Sequence, residues 1–282
     1  MRVAIYVIYH LCVNARKYLM PTLREILEKI AKKELSVEDA EQLLHFHAIE
    51  EIDNCAKIDF NRELRNGVPE IILAEGKSSS DLVKISLKLL SRSGRVIVSR
   101  CSREQIDALR AAVSCSSVLQ VNEKARVVVI RKSDVAKSTG GKVGILTAGT
   151  SDVGVAEEAK IVAEEMGCEV FTNYDVGVAG IHRLLEPLKE LVQKDVDVIV
   201  VVAGREGALA SVVAGLVDVP VIGVPTSNSF GFGEKGLSAL MSMLQSCSLG
   251  LAVVNIDGGV AAGAMATAIA KRASKFRFQP QA

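Results

Sequence analysis

The sequence predicts an α/β protein. Its C-terminal half is a three-layer, doubly wound parallel sheet, preceded by a helical hairpin and a small α+β domain. Three observations predict this. Short, continuously apolar runs recur after residue 142: "KVGILT", "CEVFT", "VDVIVVVAG", "VPVIGVP" and "LAVVNI". Stretches with helical apolar spacing separate them. No run shows the apolar/polar alternation of a half-exposed strand, so both faces are buried, as in a parallel sheet covered by helices on each side.

The front half is built differently. Leu23, Ile26, Leu27 and Ile30 recur at helical spacing, and "SVED" at Ser36–Asp39 is a capping box that opens a second helix. "HFHAIEE" (His45–Glu51) reads as a solvated helix end, because two histidines at i and i+2 do not share a helix face as metal ligands would. The strand-like "EIIL" precedes a helix near 80–91. Then come "RVIVS", a helix around Arg103–Ala112 and "RVVVI" at 126–130. The expected organisation is an N-terminal extension at 1–19, a hairpin plus small α+β domain at 20–132 and a polar linker at 133–141. The sheet domain follows at 142–275, with a tail at 276–282. The apolar stretch Val3–Val13 is too short to span a bilayer. In the C-terminal half, helices are expected at 153–166, 181–193, 207–216, 236–246 and about 260–273.

Bulk properties narrow the function. A chain of 282 residues suggests one or two domains, and 49% hydrophobic against 24% charged residues is an ordinary globular balance. The net charge of +1 gives no reason to expect nucleic acid or a membrane surface as partner, and 4% aromatics with no Trp argues against base-stacking platforms. Six cysteines without a CxxC pair are no disulfide framework and suit a reduced, cytoplasmic protein.

In open parallel sheets, ligands bind at the carboxyl ends of the strands. Those ends carry "TAGTSD", "NYDVGVAGIHR", "AGREGA" and "PTSNSFGFG". Thr150, Ser151 and Asp152 place hydroxyls and free backbone N–H groups at a helix N-terminus, which suits a phosphate; an ordinary N-cap needs the same residues. His182 and Arg183 open a helix after a loop holding Asp175, and Arg183 can fork onto an anion. Gly204, Gly207 and Ala208 surround Glu206 with little bulk where a strand turns into a helix, whether for close ligand approach or merely for the turn. Ser227 sits in the fourth such loop. Cys247, in "QSCSLG" at the end of a helix, is on residue physics alone a small packing residue.

Taken together, "GTSD…IHR…AGREGAL…PVIGVPTS…GGVAAGAMATAIA" resembles the aminoimidazole ribonucleotide carboxylase (PurE-type) fold. That family's catalytic His, after the Ala-Gly loop, is replaced here by Ala208. The segments "DVGVAGIHRL", "AGREGALASVVAGLVDVPVIGVPTS", "SCSLGLAVVNID" and "IDFNRELRNGVPEIILAEGK" are more similar to the sister LarB family of nickel-pincer cofactor biosynthesis. Arg205, commonly Met, and Ala210, commonly Pro, depart from its pattern. The resemblance implies carboxylation of the pyridinium ring of nicotinic acid adenine dinucleotide, with pyrophosphate hydrolysis to AMP, giving pyridinium-3,5-biscarboxylic acid mononucleotide.

By the same resemblance, Cys247 is the nucleophile, Glu206 and His182 assist catalysis, and Thr150, Ser151, Asp152, Asp175, Arg183, Gly204, Gly207 and Ser227 bind the mononucleotide. Arg65 and Lys77 would reach the adenylate or pyrophosphate. No tightly bound organic cofactor is expected. Mg²⁺ would assist the pyrophosphate step, CO2 or bicarbonate is the co-substrate, and the partner is a second copy in a homo-oligomer, an octamer by resemblance. The competing readings are an aminoimidazole ribotide carboxylase or mutase and a non-catalytic nucleotide-binding regulator.

Overall fold

The structure, a computed structural model, describes residues 23–37, 39–40, 49–52, 56–59, 62–63, 67–132 and 138–277. It divides into two compact units, Met1–Asn66 and Gly67–Ala282. The division falls before the strand-like "EIIL". Residues 67–132, expected in one domain with the helical hairpin, thus share a unit with the C-terminal sheet. Arg65 and residues 1–19 lie outside the described residues, as does most of the linker.

In the first unit, helix α1 spans Leu23–Ala31. Ser36 opens the next helical turn: its Oγ accepts from the Asp39 N–H at 3.0 Å. The expected helix end at His45–Glu51 is corrected in part: Ile49–Ile52 is a strand, β1, paired antiparallel with β2 (Ala56–Asp59). Cross-strand hydrogen bonds override the helix preference of its two glutamates.

The second unit opens with a four-stranded sheet of β3 (Ile71–Leu73), β4 (Arg95–Ser99), β5 (Val118–Asn122) and β6 (Val127–Arg131), in the order β3-β4-β6-β5. Helix α2 (Ser79–Ser93) starts at Ser78, whose side chain accepts from the Asp81 N–H, and stops at Gly94, where φ of 72° suits glycine. Helix α3 (Arg103–Ala112) carries a full capping box between Ser102 and Gln105. The Gln105 amide also donates to the carbonyls of Ala74 and Lys77, tying the α3 N-terminus to the loop after β3.

The C-terminal sheet has five parallel strands in the order β11-β10-β9-β7-β8. They are β7 (Lys142–Thr147), β8 (Glu169–Asn173), β9 (Val198–Ala203), β10 (Val221–Pro225) and β11 (Leu251–Val253). Helices α4 (Val153–Glu165), α5 (His182–Gln193), α6 (Ala208–Ala214), α7 (Leu237–Leu244) and α8 (Gly259–Arg277) connect and close them.

Side-chain alternation divides the core between two faces. Ile199, Val201 and Ala203 of β9 pack with residues of α5 and α6. Val198, Val200 and Val202 face the other way, onto Ala156 and Ala159 of α4 and Ala262 and Ala266 of α8. The α4–α8 approach depends on small residues, since a Cβ on Gly263 would lie 2.5 Å from the Ala159 carbonyl oxygen. Among the described residues no helix is long and apolar enough to cross a membrane.

Candidate active site

Strand order fixes where the site lies. From β7 the chain steps outward to β8, then returns across β7 to β9. The loops after β7 and β9 therefore splay apart at the carboxyl edge and leave a crevice. A cleft of about 780 Å³ occupies it. Its walls come from the loop and 3-10 turn at 148–152, the segment 175–179, the turn at 203–209 and the loop at 228–233.

The floor is built around Asp152, which is buried. One carboxylate oxygen accepts from Thr226 Oγ1 at 2.7 Å and the other from the Gly149 N–H at 3.0 Å. Burial pushes the Asp152 carboxyl above its ordinary range, opposed by hydrogen bonds from Thr226, Gly149, Asn228 and Gly204. Asp152 is thus a committed acceptor that fixes the cleft floor. A Cβ on Gly204 would lie 2.7 Å from Thr226 Oγ1 and 3.3 Å from Asp152 Oδ1, so glycine is required there by close approach.

Thr150 and Ser151 are exposed at the N-terminal side of α4, and the Ser151 carbonyl accepts from the Asn228 side chain at 2.7 Å. On the neighbouring loop, Arg183 donates to Asp175 Oδ2 at 2.7 Å. Asp175 has φ of 60° and its N–H is held by Thr147 Oγ1 at 3.0 Å. Hydroxyls, backbone N–H groups and an oriented guanidinium on one rim suit a ribose-phosphate.

The third wall is the β9–α6 turn. Arg205 and Gly207 both take left-handed backbone, at φ of 45° and 69°. Ser238 Oγ donates to the Arg205 carbonyl at 2.7 Å and holds this turn against α7. Glu206 lines the cleft and, among the described residues, makes no hydrogen bond or ion pair. The Arg205 guanidinium lies 4.2 Å from the centroid of the Phe230 ring, which with Phe232 projects from the fourth loop.

The structure brings together Thr150, Ser151, Asp152, Asp175, Arg183, Gly204, Glu206 and Gly207. Of the other expected residues that are described, it does not bring in His182, Ser227, Lys77 or Cys247. His182 is exposed at the start of α5 and does not line the cleft. The Ser227 N–H donates to Asp257 Oδ1 at 2.8 Å, behind the rim. Lys77 is exposed in the loop after β3. That loop reaches the same corner through Arg100, which contacts Glu75 at 3.4 Å and donates to the Asp257 carbonyl at 2.8 Å. Thr226, Asn228 and Phe230 were not singled out by sequence. Their signal was the "PTSNSFGFG" loop itself, polar and glycine-rich at a strand's carboxyl end.

Cys247 lies in the turn between α7 and β11. Helices in this fold run antiparallel to the strands, so that turn is at the amino edge of the sheet, opposite the cleft of its own chain. Ser248 pins it there, donating to the Ser211 carbonyl at 2.7 Å, and the Ser246 hydroxyl accepts from the Ser248 N–H at 3.2 Å. Cys247 is exposed. Burial by contrast pushes the Cys101 thiol up to about 11 and raises that of Cys168, making both poor nucleophiles. Among the described residues no cluster of three His, Cys, Asp or Glu side chains is placed to hold a metal ion.

Residues 142–277 match the AIR carboxylase family, and residues 49–132 match the LarB/PurE-like N-terminal domain. The chain is 44% identical over 253 residues to the Uncharacterized protein MJ0165 of Methanocaldococcus jannaschii, an alignment covering 88% of this chain and 97% of that one. It is 35% identical over 133 residues to an N5-carboxyaminoimidazole ribonucleotide mutase of Pyrococcus abyssi, covering 45% of this chain and 72% of the mutase. The mutase of Thermotoga maritima is 31% identical over 133 residues, covering 45% and 74%.

Proposed function

This chain belongs to the LarB/PurE-like family of AIR carboxylase-fold proteins, and from that premise we propose that it carboxylates the pyridinium ring of nicotinic acid adenine dinucleotide. Hydrolysis of the pyrophosphate then gives AMP and pyridinium-3,5-biscarboxylic acid mononucleotide, a precursor for a nickel-pincer cofactor. The observation that carries this reading is the match to the LarB/PurE-like N-terminal domain on the same chain as the carboxylase domain. The mutase alignments cover only 45% of the chain. Ala208, where a mutase-type imidazole would stand, supports the same choice.

A pyridinium ring is electron-poor and does not attack CO2. The Cys247 thiolate solves this by covalent catalysis. Its sulfur adds to the ring carbon para to nitrogen, forming a C–S bond and placing an electron pair on nitrogen. The enamine carbon β to nitrogen then attacks CO2, forming the new C–C bond. Glu206, a cleft carboxylate with no partner among the described residues, takes the proton from that carbon and restores the dihydropyridine. The nitrogen lone pair finally expels the thiolate, so the ring becomes aromatic again and no oxidant is needed. Thr150, Ser151 and Arg183 hold the ribose-phosphate, and water cleaves the pyrophosphate.

Because Cys247 stands at the amino edge of its own sheet, the thiolate is supplied by a neighbouring copy in a homo-octamer. Exposed Leu249, at 91% exposure, and Leu244, at 67%, flank it as apolar surface for such a contact. The carboxylates of the cleft do not form a metal cage, Asp152 being held by Thr226 and Asp175 by Arg183. Mg²⁺ would therefore ride on the substrate's phosphates, where it offsets their charge.

The test offers the purified protein two substrates with bicarbonate and Mg²⁺: nicotinic acid adenine dinucleotide and aminoimidazole ribotide. Consumption of the dinucleotide with release of AMP supports the proposal. Turnover of the ribotide alone assigns the chain to the mutase reaction, and binding of both without turnover assigns it to a regulator.

A further inference from the structure

Three residues other than glycine take left-handed backbone at one corner of the second unit. They are Arg100 just after β4, with φ of 57°, Arg126 just before β6, at 55°, and Asp257 before α8, at 55°. Bulky residues are uncommon in that region and persist where surrounding contacts hold them. The Arg126 guanidinium donates to the carbonyls of Cys101 at 3.0 Å and Arg100 at 3.1 Å. The Arg100 guanidinium in turn spans two elements, meeting Glu75 Oε2 at 3.4 Å and donating to the Asp257 carbonyl at 2.8 Å. Burial pushes the Glu158 carboxyl up at this corner, and the same two guanidiniums oppose it.

Asp257 grips the strand end that carries the cleft floor. Its N–H donates to the Pro225 carbonyl at 2.9 Å, and its Oδ1 accepts from the Ser227 N–H at 2.8 Å. The residue bracketed between these two bonds is Thr226, which donates to Asp152. We infer that Arg100 is a positioning residue through which the small four-stranded sheet sets the cleft floor, by holding Asp257 against the backbone on either side of Thr226. The inference goes beyond the proposed reaction and holds whichever substrate the cleft takes. Of the two Arg100 contacts, the one to Glu75 is an exposed ion pair, its carboxylate side chain 61% exposed, and contributes little. The charge-assisted bond to the Asp257 carbonyl carries the coupling.

Amide hydrogen exchange of the full chain without ligand, read by mass spectrometry, tests this. Arg100→Gln loses the charge and the reach. Exchange should rise about three- to tenfold in peptides covering 225–230 and 148–153, the range of one hydrogen bond, while peptides from α5 keep wild-type rates. Arg100→Lys, which retains the charge and a donor, should recover part of the protection, and Glu75→Gln should match wild type. Asp257→Ala should loosen the same two segments, and adding Arg100→Gln to it should loosen them no further, since both act along one relay. Wild-type exchange in both segments of Arg100→Gln overturns the inference. So do additive effects in the double variant, and so does a rise across every peptide with no recovery in Arg100→Lys, which marks Arg100 as a general packing residue. No substrate enters the measurement, so a protein that turns over neither nucleotide overturns the proposed reaction and leaves this inference standing.

Discussion

Thr226 Oγ1 donates a 2.7 Å hydrogen bond to Asp152 across the crevice, joining loops 74 residues apart in sequence, with both residues buried. This one contact closes the floor of the cleft. It also keeps a buried carboxylate from being still more costly to ionise.

Thr226→Val keeps the shape and removes the donor. Leaving a buried carboxylate oxygen short of a partner costs about 1–3 kcal/mol. The Asp152 carboxyl already lies above its ordinary range, burial being the largest cause. The native state therefore holds that proton more tightly than the unfolded chain, and stability falls as pH rises through the window between the two values. Losing Thr226 widens the window. Urea denaturation at pH 4 and pH 8 should show the variant's deficit growing at the higher pH.

Glu158 gives a sharper pH test. It is buried beside the N-terminus of α8, where the Val260 N–H donates to it, and burial outweighs nearby Arg100 and Arg126 to push its carboxyl from 4.5 to about 7. Such a shift is worth about 3 kcal/mol. Wild type should accordingly lose stability between pH 4.5 and about 7 and change little above that through this group. Glu158→Gln removes that slope. Thermal melts across this range should show the variant gaining on wild type as pH rises, and parallel curves would refute the assignment.

How much of this was legible beforehand depends on how local the cause is. The β9 run "VIVVVA" is buried at every position, and a strand apolar on both faces announces a parallel sheet. Strand β5 has no clear sequence signature, because "VLQVN" is a partly exposed edge with no clean alternation. Strand β1 has none either, because "IEEI" carries two glutamates beside a helical pattern. The loops of the site were legible as loops, since topology alone sends them to the carboxyl edge. The Asp152–Thr226 bond and the Arg205–Phe230 contact were not, because each joins loops from different strands and no spacing encodes it. The amino-edge position of Cys247 does follow from helix direction.

Gly204→Ala should damage the cleft without touching the chemistry directly. The added methyl meets Thr226 Oγ1 at 2.7 Å and Asp152 Oδ1 at 3.3 Å. Overpacking of this kind costs about 1–3 kcal/mol. The expected result is a lower melting temperature together with weaker mononucleotide binding, measured on the same preparation.

Subunit mixing tests whether the thiol serves a neighbour. Cys247→Ala and Glu206→Gln should each be inactive as pure proteins. In oligomers reassembled from equal amounts, an intact cleft beside an intact thiol arises in about a quarter of sites if one neighbouring copy supplies the thiol. Activity should return to that level in the mixture, and a mixture as inactive as its parents would place the thiol elsewhere.

The most direct measurement is carbon-13 NMR of the product from nicotinic acid adenine dinucleotide and ¹³C-bicarbonate, with wild type and Cys247→Ala side by side. Cys247 is exposed, so its replacement should leave the melting temperature within the small range of surface substitutions, about 0.5 kcal/mol. The account predicts a labelled carboxyl carbon on the pyridinium ring from wild type and none from the folded variant. Equal labelling by both proteins would contradict covalent catalysis by Cys247, and an unlabelled ring from active wild type would contradict carboxylation itself.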